Sequence, residues 1–372
     1  MVRRVIGVGM VGCGSIGQIH ADGLAKLVEE GEIRAVVAAD PSEEARRAVH
    51  RNCAFELLAD DPSVVAGHPD VDAVLVTGPT ATHASAVLEA IGQGKAVMCE
   101  KPLAPTFDEV RALVAAVADS GLVAQVGFHS RWNPIVDRLL RMVTTGELGA
   151  PLGYALREDQ FWPTGSVVAG HSSWRSDRSQ AGGGALLEHT IHGCDLLVRM
   201  FGPAVAVSAR TRSLFGFGVE DMVAAQVEHD GGVIGTIATV FNGVEGREER
   251  RLELFFEQGT VEVTGDFIVG AAEDSLTIHR PRAGSERPDL DALRDGYFDS
   301  LGVARRDFVF YQYLADRSFI HAVRDGTSAT PGFIDAYRAH ALVDAAYRSA
   351  GAGGAVTRPA AEGSDGWTGG RS

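Results

Sequence analysis

Cysteine is scarce in this chain, and long apolar runs are missing. The four cysteines, Cys13, Cys53, Cys99 and Cys194, stand far apart and form no C-x-x-C pair, which argues against a disulfide framework or a zinc module. We therefore expect a protein of the reducing cytoplasm. No run of about 18 apolar residues occurs, so we expect no membrane span. The opening "MVRRVIGVGMVGCG" has the basic start of a secretion signal. Glycines interrupt its apolar run, so we do not expect it to act as one.

Basic residues are also fewer than acidic ones. Lys plus Arg number 34 against 49 Asp plus Glu, which gives a formal net charge of −15. Nucleic-acid-binding proteins normally carry a basic surface, so we expect no nucleic-acid partner. Only Lys26, Lys95 and Lys101 are lysines. Lysine is the cation whose pKa moves readily, and Lys101 is the one whose sequence neighbours indicate a functional role.

A glycine-rich turn follows the first apolar run. Residues 5–11, "VIGVGMV", read as a strand that leads into Gly12–Gly17 and then a helical segment. The pattern G-x-G-x-x-G between strand and helix allows close approach to a pyrophosphate. Asp40 ends a second strand, "IRAVVAAD", 23 residues after Gly17. An acid at this distance binds the ribose hydroxyls of NAD and repels the extra phosphate of NADP, so NAD is favoured; the alternative is a simple turn residue.

Strands and helices then alternate to about residue 130. "VDAVLVTG", "KAVMCE" and "LVAQVGF" read as strands separated by helical segments, which predicts a doubly wound parallel sheet. Ligands bind at the carboxyl edge of such sheets. The segments "GPTATH" (78–83) and "EKP" (100–102) follow two of these strands and are expected beside the cofactor.

The pattern of predicted secondary structure changes after residue 131. Segments such as "VAAQVEHDGGVIGTIATVF" read as consecutive strands joined by turns, which predicts a large, mostly antiparallel sheet preceded by a helix over 184–200. A last helix is expected from about 333 to 350. The length of 372 residues suggests two domains, which we place at 1–130 and 131–350. Residues 351–372 are rich in Gly and Ser and are expected to be disordered.

The stretch "EHTIHGCD" concentrates ionisable groups on the 184–200 helix. At helical spacing Glu188, His192 and Asp195 share one face, with His189 at its edge. They can bind a metal, relay a proton or serve only as polar structure. The order "EHTIH" lacks the H-E-x-x-H pattern of zinc sites, so we expect no metal and favour a proton relay. Asp195 is expected to be structural, bridging to a backbone group or an arginine.

Taken in order, these motifs resemble the glucose–fructose oxidoreductase/inositol dehydrogenase (Gfo/Idh/MocA) family over residues 3–350. The resemblance is carried by "GCGSIG", "GPTATH", "EKP", "RWNP", "SSWRSD" and "GGGALLEHTIHGCD". It implies an NAD-dependent oxidoreductase with a Rossmann domain and a sheet domain whose open face often builds an oligomer. A sugar, sugar derivative or cyclitol substrate and a homodimer or homotetramer are therefore expected.

The resemblance also assigns roles to residues. Lys101 matches the family's catalytic lysine and His192 its catalytic histidine, while Glu188 stands where inositol dehydrogenase-like members have an aspartate. His192 is suited to act as general base, with Glu188 orienting it or holding a hydroxyl and Lys101 stabilising alkoxide charge. Substrate contacts are expected from His129, Trp174, Arg175 and His189. The expected cofactor-binding residues are Gly12, Gly14, Ser15, Ile16, Asp40, Gly78, Pro79, Thr80, His83, Glu100 and Lys101.

Two other functions fit the same scaffold. A glycosidase that uses bound NAD for transient oxidation would release a leaving group without net NADH production. A non-catalytic ligand sensor would need neither Lys101 nor His192, so the presence of both favours an enzyme.

Overall fold

The N-terminal part of the chain forms a parallel sheet flanked by helices. The computed structural model describes residues 4–161, 173–242, 244, 248–266, 274–305 and 310–362. The strands of the first sheet are β1 (Ile6–Val11), β2 (Ile33–Ala39), β3 (Leu57–Ala59), β4 (Ala73–Val76), β5 (Ala96–Cys99) and β6 (Ala124–Val126). The helices between them are α1 (Ser15–Glu29), α2 (Glu43–Asn52), α3 (Ser63–Gly67), α4 (Thr80–Gly92) and α5 (Phe107–Ser120).

The order of these strands creates a ligand crevice. The sheet runs β3-β2-β1-β4-β5-β6 with every described pairing parallel. The strand order reverses direction between β1 and β4, and ligands bind at the carboxyl ends beside such a reversal. The predicted doubly wound parallel sheet is confirmed.

The rest of the chain builds a second, larger sheet. Its strands are β7 (Pro151–Phe161), β8 (Ala204–Arg212), β9 (Met222–His229), β10 (Ile234–Asn242), β11 (Glu249–Phe256), β12 (Gly259–Gly265), β13 (Ser275–Arg280) and β14 (Gly284–Glu286). They run in the order β14-β13-β12-β11-β7-β10-β9-β8, with β7 and β10 parallel and the other neighbours antiparallel. The predicted mostly antiparallel sheet is confirmed.

In the part of the chain that the structure describes, helices cover one face of this sheet and leave the other open. The remaining helices are α6 (Pro134–Thr145), α7 (Arg178–Ala181), α8 (Ile191–Phe201), α9 (Leu290–Ser300), α10 (Tyr311–Asp325) and α11 (Phe333–Gly351). Burial alternates along β9, because successive side chains point to opposite faces. On the uncovered face Ile234 is 55% exposed and Phe255 is 38% exposed.

The chain returns to the first sheet near its end. Helix α10 packs against α1, and Tyr313 and Phe319 of α10 join the same buried cluster as Leu24 of α1. Helix α11 then packs against α5, α8 and β8. The C-terminal helices therefore hold the two sheets together.

The prediction of disorder after residue 350 is wrong for residues 351–362. Thr357 pairs with Val207 through hydrogen bonds of 2.8 and 2.9 Å, and Ser208 donates to the carbonyl of Gly354. Tyr337 donates its hydroxyl to the carbonyl of Ala361. Composition indicated little apolar burial, but this segment is held by backbone hydrogen bonds to the edge strand β8. The rest of the expected tail, 363–372, lies outside the described residues.

In the part of the chain that the structure describes, no helix combines the length and the apolar character needed to cross a bilayer.

Candidate active site

The glycine-rich turn lies between β1 and α1 and needs glycine at particular positions. Gly12 has φ +96°, and a Cβ there would lie 2.4 Å from the nitrogen of Gly78. A Cβ on Gly17 would lie 2.5 Å from the carbonyl oxygen of Gly12. No atom of the described residues lies within 4 Å of a Cβ built on Gly14, so they leave the turn open on that side. The N-terminus of α1 faces this space, and a helix N-terminus suits a pyrophosphate.

A cavity of about 290 Å³ extends from this turn. Its lining residues are Gly14, Ser15, Ile16, Asp40, Thr77, Gly78, Pro79, Thr80, Glu100, Lys101, Trp174, Arg175 and Glu188. Asp40 also braces the turn, since its carboxylate accepts hydrogen bonds from the backbone N–H groups of Cys13 (2.9 Å) and Ser42 (2.8 Å). The turn, the helix N-terminus and the acid together fit a dinucleotide with free ribose hydroxyls.

Two of the predicted cofactor-binding residues do not line the cavity. Gly12 lies behind it, in close backbone contact with Gly78. His83 is buried, and its ring nitrogens each lie 2.9 Å from a carbonyl oxygen, one of Gly78 and one of Pro102. His83 thus ties together the two loops that follow β4 and β5.

Lys101 and Glu188 meet at the inner end of the cavity. The Lys101 ammonium donates to the carbonyl oxygen of Glu188 at 2.8 Å, and the Glu188 carboxylate accepts from Nε of Arg175 at 2.8 Å. Burial alone would raise the pKa of Glu188, but Lys101 and Arg175 lower it to about 2. The Arg175 guanidinium in turn lies 4.5 Å from the ring centroid of Trp174. These four predicted residues form one contact network.

His192 lies beside them with a free ring nitrogen. Its Nδ1 is 3.4 Å from the hydroxyl of Ser130, and its ring centroid is 4.5 Å from that of His129. Among the described residues, His192 Nε2 and both nitrogens of His129 have no hydrogen-bond partner. Burial, then His129 and Lys101, lower the pKa of His192 well below its usual value. The imidazole is therefore neutral near pH 7 and can accept a proton.

The single helix predicted over 184–200 is interrupted. Residues Ala185–His189 form a π turn, closed by the N–H of Thr190 donating to the carbonyl of Ala185, and α8 starts at Ile191. An i→i+5 turn changes the angular spacing of side chains. The Glu188 carboxylate consequently faces Arg175, and Ser130 rather than Glu188 contacts the His192 ring.

Glu220, which no sequence motif indicated, binds the backbone N–H groups at the start of this π turn. Its carboxylate accepts from the N–H groups of Gly184 (2.8 Å) and Leu186 (3.2 Å) and from the hydroxyl of Tyr347 (2.7 Å). A Cβ on Gly184 would lie 1.9 Å from the carbonyl oxygen of Glu220. Glycine before the turn is thus required by this close approach.

Asp195 has the structural role expected of it. Its two carboxylate oxygens accept from Arg131 at 2.6 and 2.8 Å, and Asp335 lies 3.0 Å from the same guanidinium. Arg131 belongs to the 3₁₀ turn His129–Trp132. The ion pair therefore fixes the turn that carries His129 against the helix that carries His192.

A buried carboxylate, Glu158 on β7, was also missed. It is 0% exposed, and neither of its oxygens has a hydrogen-bond partner among the described residues. His189 Nε2 lies 3.7 Å from it, and Arg250 lies 3.3 Å from the same nitrogen. Burial raises the pKa of Glu158. The sequence feature that could have indicated this carboxylate is its position on the strand. Glu158 comes two residues after buried Leu156 and so points to the same inward face.

The fold and the site together define a nicotinamide-dinucleotide-dependent oxidoreductase. Residues 6–128 match the oxidoreductase family with an NAD-binding Rossmann fold, and residues 136–262 match the GFO/IDH/MocA C-terminal domain. The chain belongs to the Gfo/Idh/MocA family, which confirms the resemblance drawn from its motifs. NAD as cofactor is likewise confirmed.

Relatives with named activities cover much of the chain. A scyllo-inositol 2-dehydrogenase (NAD(+)) of Bacillus subtilis is 28% identical over 68% of this chain and 72% of its own length. A levoglucosan dehydrogenase of Pseudarthrobacter phenanthrenivorans is 26% identical over 93% of this chain and 96% of its own. A solved levoglucosan dehydrogenase in complex with NADH matches with a TM-score of 0.84 at 24% identity, covering 96% of this chain and 100% of that one. At that identity the structural likeness supports the fold.

Proposed function

We propose that this protein transfers a hydride between NAD and the hydroxyl-bearing carbon of a neutral sugar, sugar derivative or cyclitol. The observation that carries the proposal is the set of buried polar atoms next to Lys101: His192 Nε2, the His129 nitrogens and the Glu158 oxygens lack partners among the described residues. Buried polar groups are normally hydrogen-bonded, and a polyol offers several hydroxyls to pair with them. The names of the inositol and levoglucosan dehydrogenases above support the same substrate class.

Each side chain at the inner end of the cavity has a role in the oxidation. Gly14–Ile16, Asp40 and residues 78–80 would hold NAD, which would supply the hydride acceptor. Neutral His192 takes the proton of the reacting hydroxyl through Nε2. The Lys101 ammonium, held by the carbonyl of Glu188, stabilises the negative charge that develops on that oxygen. Glu188 stays ionised and fixes Arg175, which with Trp174 closes the substrate space on the cavity side.

Glu158 and His189 bind the substrate away from the reacting carbon. Glu158 is an acceptor on β7 whose two oxygens have no hydrogen-bond partner among the described residues, and a Cβ on Gly193 of α8 would lie 2.7 Å from one of them. Burial raises the pKa of Glu158, whereas Arg250 favours its ionised form, and a substrate hydroxyl that donates to the ionised form makes a charge-assisted hydrogen bond. Glu158→Gln should therefore raise KM by about tenfold or more, the scale of a hydrogen bond to a charged group, and lower kcat less.

A substrate panel tests the proposal. Sugars, anhydrosugars and cyclitols are incubated with NAD or NADP, and reduced nicotinamide is followed by absorbance. We expect NADH formation with a neutral polyol, lost in His192→Ala and kept in His50→Asn, a control at an exposed histidine on α2. Release of a leaving group without NADH would assign the glycosidase reaction. Ligand binding without either product would assign the sensor.

We propose further that the protein is a cytoplasmic homodimer or homotetramer. The uncovered face of the large sheet, with exposed Ile234 and Phe255, favours association through this face. All four cysteines are free and buried, as suits a reducing compartment. Light scattering should give a multiple of the chain mass of 39.3 kDa; a stable monomer at micromolar concentration contradicts the assembly.

A further inference from the structure

Three ionisable side chains form a buried row behind the cofactor cavity. His20 of α1 lies between Asp316 of α10 and Glu100, which follows β5. His20 Nδ1 is 2.8 and 3.0 Å from the two Asp316 oxygens, and Nε2 is 3.2 Å from Glu100 Oε1. His20 and Asp316 are 0% exposed and Glu100 is 4% exposed. Because an ionised carboxylate only accepts hydrogen bonds, an imidazole placed between two of them donates on both sides as an imidazolium.

Electrostatics support the charged form of His20, whereas burial raises the pKa of its partner Asp316. Burial alone would lower the pKa of His20, but Asp316 and Glu100 raise it to about 10. Burial likewise opposes ionisation of Glu100, but His20, and then His129 and Lys101, lower its pKa. The charged or titratable groups that face Glu100 are His20 of α1, His83 of α4, Cys99 of β5, Lys101, His129 and Asp316 of α10.

Glu100 connects this row to the reaction site. Its second oxygen, Oε2, accepts from the backbone N–H of Lys101 at 3.1 Å. A Cβ on Gly127 would lie 2.3 Å from Oε1, so the carboxylate packs under the turn that leads to His129. Glu100 thus touches both the backbone that presents the Lys101 amine and the segment that carries a histidine of the site.

We propose that His20 and Asp316 are positioning residues for the reaction, acting through Glu100. Asp316 orients His20, and His20 keeps Glu100 ionised and fixed, so that Glu100 holds the Lys101 turn and balances the Lys101 charge. This inference rests on the proposed function. It assigns a role in the chemistry to α10, which lines no part of the cofactor cavity.

The test compares His20→Gln with a matched control, His321→Gln. Like His20, His321 contacts a carboxylate, that of Glu32 at 2.6 Å. His321 lies on α10, and its contact is at the amino end of β2, away from the cavity. In His20→Gln the buried Glu100 loses its cation and its pKa rises. We expect kcat to fall roughly 10- to 100-fold near pH 7, the scale of a small misplacement at an active site, and to recover as pH rises through the new pKa. His321→Gln should keep the wild-type profile.

A double variant shows whether His20 acts through Glu100. Glu100→Gln should be slow without the new pH dependence, and adding His20→Gln to it should cost little more, since residues acting as a unit are non-additive. Multiplicative effects overturn the proposal. So does a His20→Gln variant that is folded, binds NAD and keeps the wild-type pH profile. Asp316→Asn serves if His20→Gln does not fold: losing this carboxylate lowers the pKa of His20 and weakens its hold on Glu100, so the same loss near pH 7 with recovery at higher pH should appear, in smaller size.

A readout without substrate separates this inference from the proposed function. With only three lysines in the chain, the acylation rate of Lys101 can be followed by mass spectrometry relative to Lys26. Neutralising Glu100 in His20→Gln removes stabilisation of the Lys101 ammonium, so Lys101 should react faster, on the order of tenfold. An unchanged rate overturns the positioning role even if every substrate is turned over, and a changed rate supports it even if none is.

Discussion

Removal of the proton acceptor and of the ammonium beside it is the most direct perturbation of the proposed chemistry. His192→Ala leaves no group at the position of Nε2, and Lys101→Ala removes the amine bonded to the Glu188 carbonyl at 2.8 Å. Each substitution should lower kcat by roughly 10²-fold or more, the usual scale for acid–base catalysis. At 1.36 kcal/mol per tenfold, this is about 2.7 kcal/mol of transition-state stabilisation. NAD affinity should change little in His192→Ala, because His192 does not line the cofactor cavity.

The double variant and a charge-conserving variant sharpen the test. If Lys101 and His192 handle one proton together, the double alanine variant should cost much less than the product of the singles. Lys101→Arg keeps the charge but adds bulk in a space bounded by Glu188 and Arg175, and it loses the compact amine. Steady-state kinetics and NAD dissociation constants are measured for all variants. Near-wild-type turnover in Lys101→Arg would show that Lys101 contributes only its positive charge. An active His192→Ala variant would show that His192 does not accept the proton of the substrate.

The pH profile gives an independent check on His192. Its pKa is lowered by burial and by His129 and Lys101, so the base form is present well below the ordinary histidine pKa of about 6.5. Turnover in the oxidation direction should stay level as pH falls from 7 to 6 and decline only further into acid. An acid limb centred near 6.5 would show that His192 is not held neutral as its surroundings require.

Three further predictions concern cofactor choice and stability. Asp40→Ser should narrow the preference for NAD over NADP by about tenfold, or 1.4 kcal/mol, and equal binding of both by the wild type contradicts the role of Asp40. Asp195→Asn should lower the free energy of unfolding by about 3 kcal/mol. This is the lower end of the range for a broken buried pair, because Arg131 keeps a second carboxylate partner, Asp335. A change under 1 kcal/mol in urea unfolding refutes this prediction. Truncation after Gly351 should destabilise by about 1–2 kcal/mol through lost hydrogen bonds, whereas truncation after Glu362 should not, and thermal unfolding compares the two.

Local sequence patterns were enough to predict the first half of the fold and most of the residues that line the cavity. The glycine turn, Asp40 and the loops after β4 and β5 are each encoded within a few residues, and a parallel sheet brings the carboxyl ends of its strands to one edge. Lys101, two residues after the end of β5, is therefore placed at this edge. The wide sheet of the second half also followed from alternation within single strands.

What the sequence did not reveal depends on distant contacts. His20 and Asp316 are 296 positions apart, and no periodicity links them. The π turn depends on Glu220 and Tyr347 satisfying backbone and carboxylate groups across the domain, whereas helical spacing assumes a regular turn. In "REDQF" the buried carboxylate of Glu158 cannot be distinguished from a solvent-exposed charge until the inward face of the strand is known. The segment at 351–362 is ordered by an edge strand that composition cannot reveal.

The return of α10 to α1 also determines when the first sheet can become stable during synthesis. Leu24 and Leu27 of α1 belong to a buried cluster completed by Tyr313, Leu314 and Phe319. A nascent chain that has only reached residue 130 leaves this apolar stripe of α1 uncovered, and His20 lacks its Asp316 partner. The dinucleotide-binding half is therefore expected to gain its full stability only after the last helices have left the ribosome, so that cofactor binding follows completion of the whole chain.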